Sequence, residues 1–138
     1  MNSKPVVKGF SEEEKAAMRE RSKEVQGDNE GEDVVLAKIA TFPQPDRTLA
    51  KKIHAIIMKS VPGLMPKLWY GMPAYAHNGQ TICFFQNAYK FKYRYSTLGF
   101  SDKAKLDDGD MWPTTFAVMK LTDSEEKKIA ALVKKAVG

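Results

Sequence analysis

The 138-residue chain is short of the residues that most often announce chemistry. It holds one cysteine, Cys83, and two histidines, His54 and His77. A single cysteine excludes an internal disulfide framework and any cysteine-rich zinc site, and it fits a reducing cytoplasm. Two histidines on separate elements make no transition-metal spacing. No apolar run approaches the roughly 20 residues that span a bilayer, so no membrane partner is expected. The start, Met1-Asn2-Ser3-Lys4-Pro5-Val6-Val7-Lys8, lacks the apolar core and cleavage site of a secretory signal. There is no G-x-G-x-x-G and no Walker sequence, hence no glycine-rich phosphate cradle. Repeats and low-complexity segments are missing too, and the connections are short, which points to one domain.

What is present is an uneven charge. The formal net charge is +5, but residues 10–33 carry nine acids against four bases, and residues 66–105 carry six bases against Asp102. Such asymmetry fits a charged partner or a solvated helix beside a basic sheet edge.

Ser11 and Glu14 form a capping box, which predicts a helix to about residue 26. Its apolar stripe is poor, so residues 1–32 read as a loosely packed acidic extension and residues 33–138 as the domain proper. A second helix is expected over residues 33–42, with Val35, Leu36, Ile39 and Phe42 buried. A third runs from Pro45 to about residue 61, with Leu49, Ile53, Ile56 and Ile57 on one stripe. Pro62-Gly63 stops it. Thr122 and Glu125 form another capping box and open a last helix that buries Ile129, Leu132, Val133 and Ala136.

Between the helices lies strand sequence. Asn78-Gly79 is a strong hairpin signal, because a type I′ turn needs positive φ at both central residues. It would pair Tyr75 with Ile82 and Ala74 with Cys83. Asn87-Ala88 offers a second turn, leading into Tyr89-Lys90-Phe91-Lys92-Tyr93-Arg94-Tyr95, a strict alternation of aromatics and cations. Side chains alternate across a strand. The alternation therefore predicts a strand with Phe91 opposite Phe84 and Tyr93 opposite Ile82. Tyr75, Ile82, Phe84, Phe91 and Tyr93 would share the core face. Ala74, Thr81, Cys83, Phe85, Lys90, Lys92 and Arg94 would share the other. With a last strand over residues 114–119, the order is α-α-α-β-β-β-β-α. The fold class is α+β, an antiparallel meander with helices on one face.

Three kinds of site follow from the residues. Hard cations take oxygen ligands, and Asp107, Asp108 and Asp110, together with Glu12 and Glu13, are the carboxylates that would hold one. Lys90, Lys92 and Arg94, two apart on one strand face, would hold an anion or a nucleic-acid phosphate. For nucleic acid the stacking platform shrinks to Phe85, since the aromatics of the run face the core. A cleft between sheet and acidic loop would suit a small ligand or an enzyme. Cys83 beside Lys92 lacks a base on its own face and reads as an ordinary strand residue. His54 reads as packing at a helix–sheet boundary, and His77 as a strand-end residue. Oligomeric state leaves no signature.

The stretch Trp69-Tyr70-Gly71-Met72-Pro73-Ala74-Tyr75, with Asn78-Gly79, Cys83-Phe84-Phe85 and Thr97-Leu98-Gly99-Phe100, resembles the YdhG-like family of small bacterial proteins, a domain of unknown function. The resemblance covers the chain from about residue 33 onward. It implies an α+β fold comparable to frataxin and, as proposed for some members, an intracellular iron chaperone with iron as its cargo. The acidic N-terminal helix and the loop over residues 107–110 would then be the nearest equivalents of the iron-holding surface.

Overall fold

Helices lead and close the domain, and a sheet fills the middle. The computed structural model describes residues 29–138. The expected first helix, with Glu12 and Glu13, lies outside the described residues. Among the described residues the order is α1 (Glu32–Ile39), α2 (Asp46–Ser60), β1 (Met65–Trp69), β2 (Met72–His77), β3 (Gln80–Gln86), α3 (Ala88–Phe91), β4 (Ser96–Phe100), β5 (Thr115–Val118) and α4 (Asp123–Val137). The fold is α+β with a five-stranded antiparallel sheet in the order β1-β2-β3-β4-β5. Among the described residues no helix is long and apolar enough to cross a membrane.

The helices follow their sequence signals. Glu32 and Asp33 occupy the first turn of α1, where acids interact favourably with the helix dipole. In α2, Leu49, Ala50, Ile53, His54 and Ile57 are buried at helical spacing, while Lys51, Lys52 and Lys59 face solvent. In α4, Glu125 accepts from the Thr122 N–H at 2.7 Å and also from the Thr122 hydroxyl, as the capping-box pattern requires.

Two tight turns set the first three strands. Asn78 and Gly79 both have positive φ, as expected, and so do Tyr70 and Gly71 between β1 and β2. The Trp69-Tyr70-Gly71-Met72 motif is thus a second hairpin, and β1 is a strand that the sequence pattern did not separate. The first hairpin keeps its expected register only at His77–Gln80 and Ala76–Thr81. A bulge then leaves Ile82 unpaired, so that Tyr75 pairs with Cys83 and Ala74 with Phe84. One extra residue exchanges the faces of everything beyond it. Cys83 and Phe85 consequently point to the helices and are buried. Phe84 points the other way, where its ring lies over Gly99 and meets Trp69 edge-on at 5.1 Å.

The larger correction concerns residues 89–95. They do not form a strand. Residues 88–91 make the single turn α3, Lys92 adopts a left-handed conformation, and the chain continues without regular structure to β4. Tyr89 is 73% exposed and Tyr93 54%, so the expected pairs Phe84–Phe91, Ile82–Tyr93 and Cys83–Lys92 do not form. The place beside β3 belongs to β4, whose Leu98 and Phe100 pair with Phe85 and Cys83. The physical reason is burial: Leu98 and Phe100 carry no polar atoms, whereas buried tyrosines need a partner for each hydroxyl.

One core results. Val35 and Ile39 of α1, Leu49, Ile53 and Ile57 of α2, and Ile129, Val133 and Ala136 of α4 pack on Tyr75, Cys83, Phe85, Leu98, Phe100 and Val118. The helices therefore cover one face of the sheet. Along the β1 edge, Asn29–Gly31 form a short antiparallel companion: the Gly31 N–H donates to Pro66 O at 2.8 Å and the Leu68 N–H to Asn29 O at 2.8 Å. Sequence reasoning had put these residues in the extension.

Candidate anion-binding site

The face of the sheet away from the helices carries, by register, Ala74, Phe84, Gln86, Thr97, Gly99 and Thr115. Over its β3–β5 end the loop after α3 folds back. Gln86, Lys92, Tyr93, Arg94, Tyr95, Thr97 and Thr115 together line a concavity of about 530 Å³.

Its parts are held from three directions. The buried Asp46, in the first turn of α2, accepts from the Tyr89 N–H at 2.9 Å, and Ser96 Oγ accepts from the Ala88 N–H at 3.0 Å. These two acceptors satisfy donors at the start of α3, which no local side chain caps. The α3 turn is fixed by tertiary partners, and it sets where the following loop begins. At its end the Tyr93 N–H reaches back to Ala88 O at 3.0 Å, and Lys92 has φ 58° and ψ 38°. That reversal sends the chain back toward Gln86 and Thr97.

The chemistry of the concavity is one-sided. The Thr97 hydroxyl donates to Gln86 Oε1 at 3.0 Å, which leaves the Gln86 amide N–H groups as the free end of that side chain. Lys92 and Arg94 add positive charge. Arg94 lies over the Tyr95 ring at 5.1 Å, and among the described residues neither cation has a carboxylate partner. Donors and cations converge with no counter-ion among the described residues. Lys90 is elsewhere: its Nζ donates to Tyr70 O at 3.1 Å and sits 5.5 Å from the Phe91 ring centroid. Of the three expected cations the structure thus brings two together, with Gln86, Thr97 and Thr115 beside them. The Thr81 carbonyl instead accepts from Ser101 at the far end of β3.

Asp107, Asp108 and Asp110 are exposed. No group of three or more His, Cys, Asp or Glu side chains suited to a metal occurs among the described residues. Glu12 and Glu13 lie outside them.

A polar chain on the helix side, with His54 and Tyr75 buried and Glu32 exposed at its end, was missed from the sequence. His54 contacts Tyr75 Oη through Nδ1 at 2.9 Å and Glu32 Oε2 through Nε2 at 2.7 Å. A carboxylate only accepts, so Nε2 carries a proton toward Glu32, while Nδ1 pairs with the Tyr75 hydroxyl. Burial, then Cys83 and Glu32 nearby, hold the Tyr75 phenol above its ordinary range. Burial likewise pushes the Cys83 thiol up to about 12. These groups are protonated and enclosed, which suits structure better than catalysis. The signal available was Tyr75 itself, whose hydroxyl needs a partner once its ring is buried.

A second depression, about 430 Å³ between β5 and α4, is lined by apolar side chains including Leu98, Phe116 and Leu132. Among its described lining residues the one carboxylate, Glu125, is already held by Thr122 below the ordinary range. Compared with protein-family models, with curated proteins and with solved structures, the chain finds no match.

Proposed function

We propose that this protein is a binding domain for a small anion, held in the concavity of Lys92, Arg94, Gln86, Thr97 and Thr115. The observation that carries this reading is the convergence of two cations and a free amide on a concave surface with no described carboxylate to neutralise them. Charge-assisted hydrogen bonds are the strong ones, and an arginine fork suits planar or tetrahedral oxyanions. A role in iron handling, which YdhG-like ancestry would bring, rests on sequence motifs alone and finds no metal-suited cluster among the described residues.

Titration of the full chain with inorganic phosphate at low salt, followed by amide chemical shifts, tests the proposal. Saturable shifts should concentrate at residues 92–97 and at Gln86, and Arg94→Ala should weaken binding about tenfold or more, consistent with loss of a charged hydrogen bond. Shifts scattered over all surface lysines, or an unchanged affinity in Arg94→Ala, would sink it.

A further inference from the structure

We infer that the ligand is a phosphomonoester carried on a flat aromatic group, an aryl phosphate or a mononucleotide; this rests on the anion reading above. Three observations carry it. The first is charge. Lys92 and Arg94 supply two positive charges and the Gln86 amide and Thr115 hydroxyl supply neutral donors, with no described acid opposing them. That set matches a dianion with three acceptor oxygens better than a single carboxylate.

The second is the wall. Tyr93 is 54% exposed yet lines the concavity, backed by Phe91 at 6.0 Å between ring centroids. Tyr95 stands under the Arg94 guanidinium, which holds the fork while leaving Tyr93 as the uncovered ring. A bare anion has no use for such a surface. An aromatic ring stacks on it.

The third is Lys92. It occupies the position after a helical turn where the chain goes left-handed, the place glycine normally takes. A side chain with a Cβ is disfavoured there. A lysine at this position costs stability, and a cationic residue lining the concavity is the return on that strain.

The test compares phenyl phosphate, glycerol phosphate and inorganic phosphate by calorimetry on the full chain at low salt. Phenyl phosphate should bind about tenfold more tightly than either of the others. Tyr93→Leu should erase that gap. Lys92→Gly should raise Tm by a few degrees while weakening all three ligands about tenfold. Equal affinity for the three removes the aromatic group and leaves the anion reading standing. Absence of all three at millimolar concentration removes both. A Lys92→Gly variant with lowered Tm or undiminished binding overturns the role given to that residue. Tighter binding of a single-stranded oligonucleotide, with a steep salt dependence, overturns a small ligand in favour of a nucleic acid.

Discussion

The sheet carries a polar group on each face, and the two differ in whether their hydrogen bonds are used up. On the helix side Glu32, His54 and Tyr75 form a chain in which each ring nitrogen has a partner. On the open side Thr97 satisfies one end of Gln86 and leaves the other end, with Lys92 and Arg94, facing an open concavity. Buried polar groups must be paired or they destabilise the fold. Exposed donors can wait on water or a ligand. A closed network therefore speaks of structure and an open one of binding, and the same sheet shows both.

Four measurements would break or sharpen this contrast. Tyr75→Ala removes a buried ring and strips His54 Nδ1 of its partner, and should cost about 3–5 kcal/mol in urea unfolding. Tyr75→Phe keeps the ring and removes only the hydroxyl, leaving the His54 nitrogen unpaired. The expected cost is about 1–3 kcal/mol. If it proves neutral, the network is not closed in the sense argued.

Alkaline pH tests the same buried side through Cys83, whose ordinary pKa is 9.0 and whose thiol burial pushes up to about 12. Between those values the unfolded chain loses the thiol proton while the folded chain keeps it, so stability is full below pH 9 and falls above it. The slope is about 1.4 kcal/mol per pH unit. Tyr75, also raised, adds the same sign above pH 10. Cys83→Ala should flatten the loss between pH 9 and 10; an unchanged slope would assign it to other groups. The smallest effect is expected on the open face. Arg94→Ala and Gln86→Leu should each leave stability within about 0.5 kcal/mol, while phosphate-induced shifts diminish. A large loss of stability there would make the two networks alike.

Local signals carried well where the physics is local. The Asn78-Gly79 turn, the Thr122–Glu125 cap and the helices 32–39, 46–60 and 123–137 follow from residue type and spacing. Faces did not carry, because one bulge at Ile82 exchanges them and nothing in the alternation of residues 80–86 marks it. The alternation of residues 89–95 misled for a related reason. Seven residues of period two fit a strand, but Asp46, distant in the chain, and Ser96, just beyond the run, hold a helical turn there instead. Lys92 and Arg94 were legible as outward-facing cations. Gln86, Thr97 and Thr115 were not, since they meet only through the pairing of three strands.

Strand order equals chain order, β1 to β5. During synthesis each new strand thus finds its neighbour already made, and no strand must wait for a distant partner. Such sequential pairing keeps the closing loops short and favours fast assembly. The helical layer is different. Ile129, Val133 and Ala136 follow all five strands in the chain, yet share a core with Ile53 and Ile57 that precede them. The sheet can form progressively, but its inner face is sealed only when α4 arrives, and that late docking is the step at which a growing chain is most open to a wrong partner.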